Sequence, residues 1–357
     1  MFNLDSFEEI KKLDTLDILQ SIKFLPKQIA QAWYEVQNNE VPKKCYLAKN
    51  VVISGMGGSA LGGRVADSLL IDRFRTPIEI VTDYQLPNYV NENTLVIVSS
   101  YSGNTAETIS SAKEALNRGA VIYCIATGGE LGELMRKNNL PGYLFNPKEN
   151  PSNQPRAGLG YSIASILAVL AKCKFINILD SEVEEAIKTS EEFIRDFDVD
   201  VREDNNLAKK IARKLKGKIP NIVSSQHLIG ICHAFKNLLN ENAKTFAYLF
   251  DLPELNHHLM EGLRNPAVVR PFLHFLFIYS ELYSKEVARR YPITYEVITQ
   301  NDVSYDIYKP RSQKKLDQIF EILILGFFVS FYLAMLNDCD PGKIPWVNYF
   351  KKRLSKI

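Results

Sequence analysis

Apolar residues recur along this chain in short runs that alternate with amphipathic stretches. Residues 51–54, 78–82, 94–99 and 121–127 are four such runs, rich in β-branched side chains and short enough for buried parallel strands. Helical patterns separate them, and that alternation predicts βαβ units in an α/β fold, a parallel sheet flanked by helices on both sides. Before the first strand, residues 13–36 read as an amphipathic helical leader with Pro26 near a bend. After the last, residues 161–172 read as a helix, and the acid-rich stretch 181–204 as an exposed linking helix. The scheme then repeats: a strand opens at Asn221, a helix covers 228–241, and strands are expected over 272–280 and 295–300. A chain of 357 residues exceeds what one core usually supports. Two domains are therefore expected, 1–180 with the leader and 205–357 with a C-terminal helix, joined by 181–204. The longest apolar tract, 319–336, carries Glu321 and lies between charged segments, which favours a buried or subunit-facing helix over a membrane span.

Two strand-to-helix turns carry the candidate chemistry. The run ending at Val98 leads into Ser99-Ser100-Tyr101-Ser102-Gly103-Asn104-Thr105, and the run ending at Ser54 leads into Gly55-Met56-Gly57-Gly58-Ser59. Helix N-termini present unpaired N–H groups and a partial positive charge, so hydroxyls and glycines placed there suit an anion. Ser59, Ser100, Ser102 and Thr105 are the candidate phosphate ligands, and Gly58 permits close approach. The plainer alternative is that Ser102 or Asn104 caps the helix and Gly103 turns the chain. In an open parallel sheet, ligands bind beyond the carboxyl ends of the strands, so two adjacent polar turns imply one cleft. A dinucleotide turn fits poorly. Ala60 at the last position of its glycine pattern is permitted, but the expected acid would be Asp72 or Glu79, neither of which ends a clear second strand.

These turns, with Pro155-Arg156-Ala157-Gly158-Leu159-Gly160-Tyr161 and Pro253-Glu254-Leu255-Asn256-His257-His258, resemble the bifunctional phosphoglucose/phosphomannose isomerase family over nearly the whole chain. The resemblance implies two sugar-isomerase (SIS) domains, each a three-layer αβα sandwich. It also implies a metal-free, cofactor-free aldose-ketose isomerase, and a homodimer with its active sites near the subunit interface. The apolar tract 319–336 is the contact the sequence offers for that dimer.

Isomerisation needs a base to move a proton between C1 and C2, an acid to open the sugar ring, and positive charge near the enediolate. The resemblance places the base at Glu254, with Leu252, Pro253 and Leu255 as an apolar collar that would raise its pKa. It places the stabilising cation at Arg156, whose small neighbours leave it room, and a site lysine at Lys351 or Lys352. For ring opening, His257 and His274 both remain open. The family's threonine seven residues before the lysine is replaced here by Ile344 or Pro345, which bears on the use of mannose 6-phosphate. A non-catalytic phosphosugar sensor is the rival reading. It would keep the phosphate turns without needing Glu254 and Arg156 together.

Composition narrows the partners. Lys+Arg number 43 against 41 Asp+Glu, a net +2 with no basic block, so the sequence predicts neither a nucleic acid nor a membrane as partner. Cys45, Cys124, Cys173, Cys232 and Cys339 are odd in number, scattered and mostly in apolar segments, unlike a disulfide framework or a metal site. They predict reduced thiols in a cytoplasmic protein. The first residues lack the basic start and apolar run of a signal peptide.

Overall fold

A computed structural model describes residues 2–69 and 76–354. Asp72, one of the two acids weighed for a dinucleotide, lies outside them. The leader forms three helices, α1 (Phe7–Leu13), α2 (Ile18–Lys23) and α3 (Leu25–Asn38), where one bent helix was expected. The break has a local cause: the Asp14 carboxylate accepts from the N–H groups of Ile18 and Leu19, both at 2.9 Å, and so starts α2. Pro26 falls in the first turn of α3, where its missing N–H costs nothing.

The first sheet follows the pattern read from the sequence. β1 (Asn50–Ser54), α4 (Gly58–Leu69), β2 (Ile78–Val81), β3 (Thr94–Ser100), α5 (Ala106–Asn117), β4 (Val121–Ala126), α6 (Gly129–Asn138) and β5 (Gly142–Leu144) form an all-parallel sheet of order β2-β1-β3-β4-β5. Successive side chains of a strand point to opposite faces. Val51, Ile53, Leu95 and Ile97 accordingly enter the main core, while Val52, Val96, Val98 and Cys124 enter a smaller core beneath α5 and α6.

From there α7 (Leu159–Lys172) packs on α3 and α4, and α8 (Asp180–Phe197) and α9 (Leu207–Leu215) lead into the second sheet. That sheet comprises β6 (Ile219–Ser224), α10 (Ile229–Glu241), β7 (Tyr248–Asp251), short helices α11 (Leu259–Gly262) and α12 (Lys285–Ala288), β8 (Leu273–Ile278), α13 (Arg290–Gln300) and β9 (Ser304–Tyr308). It too is all parallel, in the order β7-β6-β8-β9. The strand expected at 295–300 is the last part of α13, which buries Tyr291, Thr294 and Ile298 at helical spacing. The true edge strand is β9. The acidic stretch is not an exposed link either, because α8 buries Val183, Ala186, Ser190, Phe193, Ile194 and Phe197 against α3 and α14.

α14 (Lys315–Leu336) is the apolar tract, and every residue from Leu316 to Leu336 is buried. It is long and apolar enough to cross a membrane, yet it packs inside this chain against α8, α9 and α10. A helix enclosed in this way cannot be the contact face of a dimer. The final helix, α15 (Pro345–Leu354), is the reverse case, with no buried residue and Trp346, Tyr349 and Phe350 at 80%, 60% and 63% exposure.

Candidate functional site

The two glycine-serine turns lie side by side at the carboxyl edge of the first sheet. The Ser59 Oγ accepts from the Tyr101 N–H at 3.0 Å, which ties the turn after β1 to the turn after β3. Within the second turn the Ser100 hydroxyl donates to Thr105 Oγ1 at 3.0 Å. Gly103 has φ 71°, and a Cβ there would stand 1.8 Å from the Gly128 carbonyl oxygen, so only glycine lets this turn pass beneath the α6 turn. The capping alternative does not hold. Thr105 is the N-cap of α5 but its side chain caps nothing, Ser102 Oγ accepts from Asn104 N–H, and Asn104 Oδ1 accepts from Glu130 N–H of α6. The leading N–H groups of α5 are therefore without a side-chain cap, next to the exposed Ser102 and half-buried Thr105.

Arg156 stands close by. A Cβ on Gly58 would lie 3.6 Å from the Arg156 Cα, so the short helical turn at 155–158 abuts the start of α4. The glycines after it serve packing more than access: a Cβ on Gly158 would strike Tyr101 at 2.6 Å, and one on Gly160 would strike Gln28 at 2.8 Å. The guanidinium is buried. It donates through Nε to Asn242 Oδ1 at 2.8 Å, through Nη1 to Gln154 Oε1 at 3.1 Å, and through Nη2 to the Pro341 and Gly342 carbonyls at 2.8 and 2.7 Å. Of its five N–H donors one on Nη1 remains for a ligand. Burial pulls its pKa below the ordinary arginine value, opposed by the Glu241 and Asp340 carboxylates.

That opposition points to a residue the sequence reading missed. Glu241 ends α10, one position before the asparagine that Arg156 holds. Burial raises its pKa, while Arg156, Lys351, Lys236 and Lys244 act on it in the other direction. It lines an open cleft of about 570 Å³ with His233, Lys236, Asn237, Asn240 and Tyr248. Packing explains how a residue of the second half reaches the first. α10 lies along α4 so closely that a Cβ on Gly230 would sit 2.2 Å from the Arg64 carbonyl oxygen, and the Gly230 N–H donates to Ser68 Oγ at 3.1 Å. With Gly230 beside Ser68 and Asn242 beside Arg156, the helices run antiparallel, which brings the end of α10 to the start of α4.

The other expected residues divide. Glu254 is exposed, and it opens the short helical turn that follows strand β7 after Pro253. Leu252 and Leu255 turn into the core and do not form a collar around it. His257, also exposed, lies on the loop beyond the carboxyl end of β7. His274 occupies the opposite edge of the sheet, in the opening residues of β8, with Nδ1 2.9 Å from Ser304 Oγ and Nε2 3.2 Å from Asp306. Burial lowers its pKa, and it is a satisfied core imidazole outside the cleft. Lys351 is exposed on α15, close enough for its ammonium to act on the Glu241 carboxyl.

Known proteins match the two halves of the chain separately. Residues 45–170 match the SIS domain family, and residues 204–354 match the bacterial phospho-glucose isomerase C-terminal SIS domain family. A bifunctional phosphoglucose/phosphomannose isomerase of Caldicellulosiruptor bescii is 35% identical over 344 residues, covering 95% of this chain and 99% of that protein. The chain belongs to the bifunctional phosphoglucose/phosphomannose isomerase family. It is a sugar-phosphate isomerase built on two SIS-like halves. A second isomerase of that name, from Aquifex aeolicus, is 30% identical over 332 residues, covering 92% of this chain and 98% of that protein. Among solved structures, a hypothetical protein of Thermus thermophilus superposes with a TM-score of 0.76 at 17% identity, covering 98% of this chain and 93% of that one. At that identity the match speaks for the fold alone.

Proposed function

We propose that this isomerase interconverts glucose 6-phosphate and mannose 6-phosphate with fructose 6-phosphate by proton transfer through an enediolate. The relatives' printed names support the two aldoses. The observation that carries the mechanism is the meeting of Glu241 and Arg156 beside the Gly57-Gly58-Ser59 turn. Ser59, Ser100, Ser102, Thr105 and the leading amides of α5 bind the phosphate. The sugar then extends toward the end of α10, where Glu241 removes the proton from C2 and returns it to C1. A carboxylate whose pKa is raised by burial is a better base than an exposed one, which favours Glu241 over Glu254. Arg156 offers its remaining N–H to the enediolate oxygens, and because it is already fixed by four hydrogen bonds it needs no reorganisation as charge develops. Lys351 adds positive charge at the open side, and His257 is the ring-opening acid. The uncovered aromatic face of α15 supports a homodimer that closes the cleft.

A coupled assay with fructose 6-phosphate, run in EDTA beside a mannose 6-phosphate lane, tests this reading. Wild type turns over both sugars. Glu241→Gln loses about 10²–10⁴-fold in kcat with KM nearly unchanged, the usual worth of a positioned base. Glu254→Gln stays within about 3-fold, as a surface change should. Tight binding without turnover would make the protein a phosphosugar sensor, and collapse of Glu254→Gln alone would return the base to the β7 loop.

A further inference from the structure

Arg156 is a buried cation with no counter-ion in contact. It is 4% exposed, and among the described residues the four acceptors on its guanidinium are all neutral: the Asn242 and Gln154 side-chain amides and the Pro341 and Gly342 carbonyls. Asp340, one position before those carbonyls, spends its oxygens on Thr15, the Gly342 N–H and Lys343, and Glu241 acts on the guanidinium only from beyond hydrogen-bond distance. A buried arginine is ordinarily paired, because a carboxylate in contact recovers part of the desolvation cost. Here the charge stays uncompensated until an anion enters. Asn242 makes the contact to Nε. It is the C-cap of α10 and 1% exposed. Its backbone closes the helix by itself, with the N–H on the Leu238 carbonyl at 2.8 Å and its own carbonyl accepting from Lys244 Nζ at 3.0 Å. The side chain is thus free for another use: Oδ1 accepts from Arg156 Nε at 2.8 Å, and Nδ2 donates to Ser330 Oγ at 3.2 Å. Ser330 is buried in the apolar α14, and its hydroxyl donates to the Phe327 carbonyl at 3.0 Å, which leaves its oxygen to accept. The relay runs one way and fixes which end of the amide meets the arginine.

Given the role assigned to Arg156 above, we propose that Asn242 is a positioning residue for the isomerisation, holding the guanidinium in place while leaving its charge for the enediolate. An amide and a carboxylate at this position could both accept from Nε. The carboxylate would be the stronger partner, but it would already supply the negative charge that the enediolate has to bring. The neutral amide fixes the geometry and leaves the field intact, and Ser330 keeps that amide from turning over. Helix α14 therefore reaches the site through one hydroxyl in an apolar run.

Asn242→Asp separates this role from a structural one, because the two side chains have nearly the same shape. Steady-state kinetics with fructose 6-phosphate are measured on the plateau of the pH profile, so that a change in the neighbouring Glu241 carboxyl does not enter, and a urea melt is run beside them. The expected result is a kcat lower by about 10–100-fold, KM within about 3-fold and a melting midpoint no lower than that of wild type. Affinity for the hydroxamate of 5-phosphoarabinonate, whose anionic head copies the enediolate, should fall by the same factor as kcat, while inhibition by inorganic phosphate stays unchanged. Ser330→Ala, which adds no charge, should lower kcat by about 3–10-fold at unchanged KM, the worth of one neutral hydrogen bond. Asn242→Asp with wild-type kcat, or with equal losses of hydroxamate and phosphate affinity, overturns the proposal. If the introduced carboxylate unfolds the chain, Ser330→Ala decides alone, and an unchanged kcat there overturns it. Arg156→Gln tells the two claims apart: if it loses kcat while Asn242→Asp does not, only the positioning role falls, and if it keeps wild-type kcat, the role of Arg156 falls as well.

Discussion

After β1 the chain turns through Gly55, Gly57 and Gly58 into α4; after β6 it turns through Ser225, Gln226 and His227 into α10. Gly57 and Gln226 even share the left-handed backbone, at φ 50° and 46°. The strand orders correspond as well, yet the second turn is filled. The Tyr283 hydroxyl accepts from the Ser225 N–H at 3.1 Å, and Tyr291 Oη lies 2.9 Å from Ser225 Oγ, so the groups that would face an anion are spent on tyrosines. Those tyrosines belong to a cluster in which Tyr283 stacks on Tyr291, with ring centres 5.7 Å apart. One sheet keeps its turns for a ligand and the other closes them. The far end of the closed half's first helix carries Glu241, in the cleft beside Arg156. Similar topology therefore predicts where a site can form but not which of two like turns stays open.

The largest expected effect attacks the junction between the halves. Arg156→Met should lower kcat/KM by about 10³-fold and destabilise the protein by about 3 kcal/mol, because Asn242, two carbonyls and Glu241 lose their buried partner. Steady-state kinetics and urea melts read both, and a variant with intact kinetics would separate the halves functionally. The pair Ser59→Ala and Ser102→Ala should raise KM by about 10–100-fold, the worth of one or two hydrogen bonds to a charged group. Ser225→Ala at the filled turn should leave KM unchanged and cost about 1 kcal/mol in a urea melt, because the buried Tyr291 hydroxyl loses its shorter partner and keeps only the Ile278 carbonyl at 3.5 Å. A KM effect there would show that the second turn binds after all.

The smallest effect concerns pH. Burial, with the Glu185 carboxylate second, pushes Asp317 up to about 6. The folded chain thus holds this proton more tightly than the unfolded one. Its contribution to stability is present below the unfolded carboxylate range and is lost as pH rises through about 6. Asp317→Asn should therefore melt higher than wild type at pH 8, by about 1 kcal/mol after solvent screening, and match it at pH 4.

Most of the fold was legible because parallel strands buried on both faces read as unbroken apolar runs. What escaped were edge elements. β5 has three residues and β7 four, too short for a pattern, and the β-branched run in α13 passed for a strand because its helical stripe includes Tyr291 and Thr294. The two glycine-serine turns were legible because glycines and hydroxyls concentrate between strand and helix. Glu241 was not, since nothing local marks a glutamate at a helix end as lying beside an arginine 85 positions earlier (241 − 156). The crossing of α4 and α10 creates that relation, and Gly230 allows it.

The position of α14 sets an order of events during synthesis. Helices α8, α9 and α10 leave the ribosome long before the segment that fills the space among them, since α14 begins at Lys315. Until then the first sheet can assemble with its own helices, but the second half has no centre. Nascent chains halted before residue 315 should accordingly yield a protease-resistant first sheet and a digestible remainder. The segment most easily mistaken for a membrane anchor is the one whose arrival completes the protein.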